Sequence, residues 1–267
     1  MQTWGVQGRS EVWVGEQSGK TQDRGEVVLA TDCVVACASV APKGNKKYVA
    51  LTFDEGPSSA TKQILQVLKE KGVTATFFLS GDAAEASPAT AKAIVDAGCE
   101  IGSNSYSDDS LKGQDREAVR EQITKGTDAI KSATGVKTML LRAPYAAFDE
   151  QNWIDAMDLV SAVVSWNIDS GDWLLNGADE QVSTVLDSVT PGNIVLLTDR
   201  DECAEQTLEA LPQIIDGLIA DGYKIVTLSD LVKTDTSLRK KLTSLTKVTM
   251  PKDAVFPQLA EDNDTAE

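Results

Sequence analysis

YVALTFDEGPSSATKQILQVLKEKGVTATFFL, residues 48 to 79, changes character twice along its length. Tyr48, Val49, Ala50, Leu51, Thr52 and Phe53 form a short β-rich run. Ser58 and Ser59 then offer N-caps, Ile64, Leu65, Val67 and Leu68 recur at helical spacing, and Gly72 supplies a left-handed stop. A second apolar strand is expected over 74–79. Strand, helix and strand in so few residues read as a crossover unit with parallel strands.

The same alternation continues downstream. Further strands are expected over 100–103, 138–142, 162–168, 193–198 and 224–228. Helices are expected from Ser87 and Pro88 to Gly98, from about Asp115 to Thr134 before Gly135, and from about Phe148, Glu180 and Glu205. About seven such units fit an α/β fold, either a barrel or an open doubly wound sheet, and the pattern leaves both open. In each, the loops after the strands are where active sites gather. Residues 46–233 carry this pattern. Residues 1–45 read as a loosely structured leader with a short strand near 26–30, and 234–267 as a helix-compatible segment followed by an acidic tail.

Composition narrows the chemistry. The chain has 267 residues, 25 Lys and Arg against 41 Asp and Glu, and no His, for a formal charge of -16. Such an acidic surface repels phosphate backbones, so nucleic acid is excluded as a partner. Without His, acid–base and metal chemistry must run on carboxylates, amides, hydroxyls and Arg. Cys33, Cys37, Cys99 and Cys203 show no CxxC spacing and are expected as thiols, with a Cys33–Cys37 pair as the alternative. No apolar run is long enough for a membrane span. The opening MQTWGVQGRSEVWVGE has no basic n-region followed by an apolar h-region, so no signal peptide is expected in it. No Gly-rich phosphate loop follows the first strand, since Asp54-Glu55-Gly56-Pro57 offers one Gly and a Pro without an N–H.

Five short stretches after the strands carry the chemically suggestive residues. They are Thr52-Phe53-Asp54-Glu55-Gly56-Pro57, Ser103-Asn104-Ser105-Tyr106-Ser107-Asp108, Arg142-Ala143-Pro144-Tyr145, Asp169-Ser170-Gly171-Asp172-Trp173 and Leu196-Leu197-Thr198-Asp199. In this order they resemble the five motifs of the polysaccharide deacetylase family, the NodB homology domain or carbohydrate esterase family four. The resemblance covers roughly residues 46 to 233. It implies a distorted barrel of about seven parallel strands with outer helices. It also implies metal-dependent removal of acetyl groups from N-acetylated sugars of chitin, peptidoglycan or related polymers.

Carried over residue by residue, the resemblance places Asp54 as general base, Arg142 as the group orienting it, and Asp172 as the partner of the general acid. Tyr145, Trp173 and Leu196 line the substrate groove. The departures are concentrated elsewhere. The metal positions are Glu55 where the family has Asp, and Asn104 and Asp108 where it has two His. The acid's His is Thr198, and a hydroxyl is too weak an acid to protonate a leaving amine. Glu55, Asn104 and Asp108 offer oxygens alone, a set that suits Mg²⁺, Ca²⁺ or Mn²⁺ and disfavours zinc.

The expected function is therefore a deacetylase-like protein that has lost the standard reaction and binds an N-acetylated polysaccharide or peptidoglycan fragment. The alternatives are an active hydrolase of carbon–nitrogen bonds using a hard divalent cation, and a scaffold protein in which Tyr145 and Trp173 are covered. Family habit implies the bacterial cell envelope or exterior.

Overall fold

The computed structural model describes residues 46–156 and 158–234, together with Gly44 and two short strands, β1 (Glu26–Val27) and β10 (Val248–Thr249). These two pair antiparallel apart from the main sheet, so the strand expected near 26–30 is present in its first two residues. The rest of the leader and of the segment after 234 lies outside the described residues, Cys33 and Cys37 included.

The main sheet contains β2 (Tyr48–Asp54), β3 (Thr76–Leu79), β4 (Glu100–Ser103), β5 (Leu140–Leu141), β6 (Ala162–Val163), β7 (Ile168–Asp169), β8 (Ile194–Thr198) and β9 (Lys224–Ile225). Seven of them run in the order β6-β5-β4-β3-β2-β8-β7, and β9 pairs with the start of β2. Every pairing in this sheet is parallel. The result is a half-barrel of seven parallel strands. Between the strands lie α1 (Thr61–Lys71), α2 (Gly81–Ala86), α3 (Pro88–Asp96), α4 (Arg116–Thr134), α5 (Glu150–Ala156), α6 (Ala178–Ser188) and α7 (Ala204–Ala220), with α8 (Leu228–Thr234) after β9.

β2 is the centre. It is paired on both edges and buried from Val49 onward, which accounts for its nearly continuous apolar sequence. Phe53 stacks on Phe77 with ring centroids 4.9 Å apart, and Ile64, Leu65 and Leu68 of α1 pack against the same cluster.

Two local expectations need correction. Ser58 and Ser59 do not cap α1; its N-cap is Ala60, without a side-chain cap bond. The Ser58 hydroxyl is instead committed to Asp199 at 2.6 Å, and Thr61 donates to the same carboxylate at 2.7 Å. The single strand expected over 162–168 is split into β6 and β7, which sit at opposite edges of the sheet. The four residues between them cross the open side of the barrel, and Arg142 takes the carbonyls of Val164 and Ser165 at 3.2 Å each.

Candidate functional site

Parallel register brings the strand ends to one edge. Asp54 lies opposite both Phe78 and Thr198, Ser103 opposite Leu79 and Leu141, and Leu196 opposite Thr52 and Asp169. The residues that follow, Glu55, Asn104, Arg142 and the loop to Asp172, therefore converge on that edge. The non-glycine residues with left-handed backbone also lie here: Glu55 (φ 72°), Ser105 (φ 63°), Tyr145 (φ 59°), Ala146 (φ 52°) and Leu175 (φ 57°). Each costs ~1–2 kcal/mol, a strain that clusters at functional edges.

Three networks make up the site. The deepest joins Asp54 and Arg142. Arg142 is fully buried, and its Nη1 donates to Asp54 Oδ1 at 2.6 Å and to the Thr52 hydroxyl at 2.7 Å. The Phe78 ring lies 4.1 Å and the Trp166 ring 5.5 Å from the guanidinium, so the charge is held between aromatic faces. Burial pushes the Asp54 carboxyl up to about 7 against the opposing pull of Arg142.

The second network surrounds Asp172. Its Oδ1 accepts the Thr198 hydroxyl at 2.8 Å, and its Oδ2 accepts the Thr198 amide at 2.6 Å and the Thr207 hydroxyl at 3.2 Å. Burial raises this carboxyl above its ordinary range, and these three donors oppose the rise. Thr198 thus satisfies Asp172 rather than offering a proton outward. Leu196, one turn of the pleat earlier, is buried beneath it.

The third network is half-exposed and contains a residue that sequence reasoning missed. Arg200 pairs with Glu55 through both Nε, at 2.5 Å, and Nη2, and Nη2 lies 3.4 Å from Asp108 Oδ2. The Tyr145 hydroxyl donates to the same Asp108 oxygen at 2.5 Å, which pushes the phenol up to about 12. Burial and the nearby Asp108 raise the Glu55 carboxyl, while Arg200 lowers it. Asn104 is buried; its Nδ2 donates to the Arg142 carbonyl at 2.9 Å, and its Oδ1 has no partner. A usable signal for Arg200 was its place two residues past the end of β8, at the edge where carboxylates from other strands gather.

The loop that carries Asn104 and Asp108 is seated by glycines. Gly126 of α4 lies against the Ser105 carbonyl group, so closely that a Cβ there would approach it to under 3.0 Å. Trp173 and Tyr145 form the outer rim, 54% and 66% exposed, and the Trp173 indole donates to Asp169 at 3.1 Å.

Deacetylases of the resembled family use a divalent cation, and the expected donors here are Glu55, Asn104 and Asp108. They lack the imidazole or thiolate that zinc favours. Glu55 and Asp108 are already bonded to Arg200, and among the described residues no group of three or more His, Cys, Asp or Glu is placed to hold a metal. As folded, the donor set does not fit the ion. Cys99 and Cys203 are free buried thiols, as expected. No helix among the described residues is long and apolar enough to cross a membrane.

A model of the polysaccharide deacetylase family matches residues 41–160. The chain is 34% identical over 192 residues to a peptidoglycan-N-acetylglucosamine deacetylase of Bacillus cereus, covering 71% of this chain and 70% of that protein. It is 38% identical over 189 residues to a bifunctional xylanase/deacetylase of Pseudobutyrivibrio xylanivorans, covering 70% of this chain and spanning 31% of that protein's length. Among solved structures, a CE4 family pseudoenzyme from Bacillus anthracis aligns with a TM-score of 0.67 at 31% identity, covering 74% of this chain and 71% of that one. A mutant of that pseudoenzyme with restored enzymatic activity aligns with a TM-score of 0.67 at 32% identity, covering 74% of this chain and 73% of its own.

Proposed function

Because the chain belongs to the polysaccharide deacetylase family, we propose that it is a catalytically degenerate member that binds an N-acetylated glycan along the retained groove without cleaving its acetamide. One observation carries this reading: the Thr198 hydroxyl, in the place of the family's general acid, donates to Asp172. No titratable donor stands there for the leaving amine, and general acid help is worth ~10²–10⁴-fold. What remains is binding and orientation. Asp54, near neutrality and held by Arg142, keeps the position of a general base. Trp173 and Tyr145 are exposed rings at the rim on which a pyranose ring can stack.

The exposure of Trp173 and Tyr145 argues against the scaffold reading, which requires them covered. For the active-hydrolase reading, an all-oxygen donor set calls for Mg²⁺, Ca²⁺ or Mn²⁺. That reading also needs Glu55 and Asp108 released from Arg200 and a proton source in place of Thr198, so we disfavour it. The ligand class, an N-acetylated polysaccharide or peptidoglycan fragment, and a place at the bacterial cell envelope are proposed from relatives named for peptidoglycan deacetylation.

Calorimetric titration with an N-acetylglucosamine tetramer and with soluble peptidoglycan fragments tests the reading. Saturable binding by the wild type and at least tenfold weaker binding by Trp173→Ala are expected. No binding of either ligand by the wild type contradicts it.

A further inference from the structure

Glu55 and Asp108 reach the site from different strands, and each presents one carboxylate oxygen to the same guanidinium. Arg200 is placed by the turn after β8, and its side chain is 38% exposed, with a path to solvent. Unlike the imidazoles of the family motif, a guanidinium keeps its charge across the accessible pH range and offers no lone pair to an ion. Both donors of its fork go to Glu55 Oε2, and the Asp108 Oδ2 that it approaches also accepts the Tyr145 hydroxyl.

We propose that Arg200 is a built-in competitor for the divalent-cation position: its guanidinium and a metal ion compete for the same two carboxylates, Glu55 and Asp108. The inference rests on the reading above only for where the family's ion would lie, namely residues 55, 104 and 108. An incoming ion competes with Arg200 for the charge of these carboxylates and also meets the repulsion of a fixed positive charge a few ångströms away. With Arg200 removed, Glu55 and Asp108 carry two uncompensated negative charges. The buried Asn104 Oδ1, which lacks a partner, is a third oxygen, on the β4 end that also leads to Asp108.

Manganese titrations followed by electron paramagnetic resonance and by thermal unfolding test this on the full chain. Arg200→Ala and Arg200→Gln are both measured, the glutamine variant guarding against a folding defect in the other. Each is expected to bind Mn²⁺ at least tenfold more tightly than the wild type and to gain thermal stability as the ion is added. Asp108→Asn in the Arg200→Ala background is expected to abolish the gain. Equal or weaker affinity in both Arg200 variants overturns the proposal, including the case in which none of the proteins binds the ion. So does a gain that survives Asp108→Asn, which places the ion elsewhere. Glycan binding is read separately, so failure of one proposal is distinguishable from failure of the other.

Discussion

Replacing Arg142 by methionine puts the buried centre of the site under the sharpest test. The guanidinium satisfies the Thr52 hydroxyl, Asp54 and the carbonyls of Val164 and Ser165. Methionine keeps most of the stem but leaves Asp54 buried without a counterion, a cost that applies where the carboxyl is ionised. The cost should depend on pH, with a sign set by Asp54. Its carboxyl is raised from 3.8 to about 7. Its contribution to stability is therefore fully present below the lower value and lost as pH rises through the higher one. Arg142 is the main charge opposing that rise, so without it the folded-state value moves further up and the loss continues into the alkaline range at ~1.4 kcal/mol per pH unit. At pH 6, below the Asp54 value of about 7, the carboxyl is largely protonated, so a loss of ~1–3 kcal/mol is expected there from the Val164 and Ser165 carbonyls left without their donor, and up to ~2 kcal/mol more at pH 8.5. Urea unfolding followed by circular dichroism measures both. Adding Asp54→Asn removes the orphaned charge and should recover the pH-dependent part. A penalty identical at the two pH values, or a double variant no better than the single one at pH 8.5, refutes the reasoning.

Two further perturbations probe the supports of the site. Gly126→Ala gains ~1 kcal/mol in an open helix, yet here the new methyl meets the Ser105 carbonyl; a loss of ~1–3 kcal/mol in thermal unfolding is expected, and unchanged stability contradicts the packing described. Thr198→Val is nearly isosteric but removes one donor from buried Asp172, at ~1–3 kcal/mol. Because burial holds that carboxyl above its ordinary range, its contribution to stability is present at low pH and fades as pH rises; the penalty should be larger at pH 8 than at pH 4 in denaturant titrations, and an equal penalty counts against the assignment.

The stretch from Tyr48 to Leu79 announced the fold because its signals are local: a buried central strand, an amphipathic helix and a Gly stop leave their period in the sequence. Strand ends inherit positions from register, so Asp54, Asn104, Arg142 and Thr198 were legible as a group. What escaped depends on pairings between distant segments. Arg200 meets Glu55 and Asp108 across 145 and 92 residues, and no periodicity records such contacts. The oxygen donors at 55 and 108 were expected to suit a hard divalent ion; a guanidinium from the neighbouring strand end takes them instead. At the break between β6 and β7, Arg142 likewise donates to carbonyls 22 and 23 residues away. Helix α2, six residues long, is too short to show a helical period.

The most direct measurement is acetate release from an N-acetylglucosamine oligomer by the purified protein, with Mn²⁺, Mg²⁺, Ca²⁺ and Zn²⁺ each supplied in turn, on the same oligomer whose binding is titrated. A site that keeps its base and groove but has no proton donor at 198 should bind the oligomer and release no acetate above the uncatalysed background. Turnover at ~1 s⁻¹ or faster with any of these ions, within the ordinary range of hydrolases, contradicts the account.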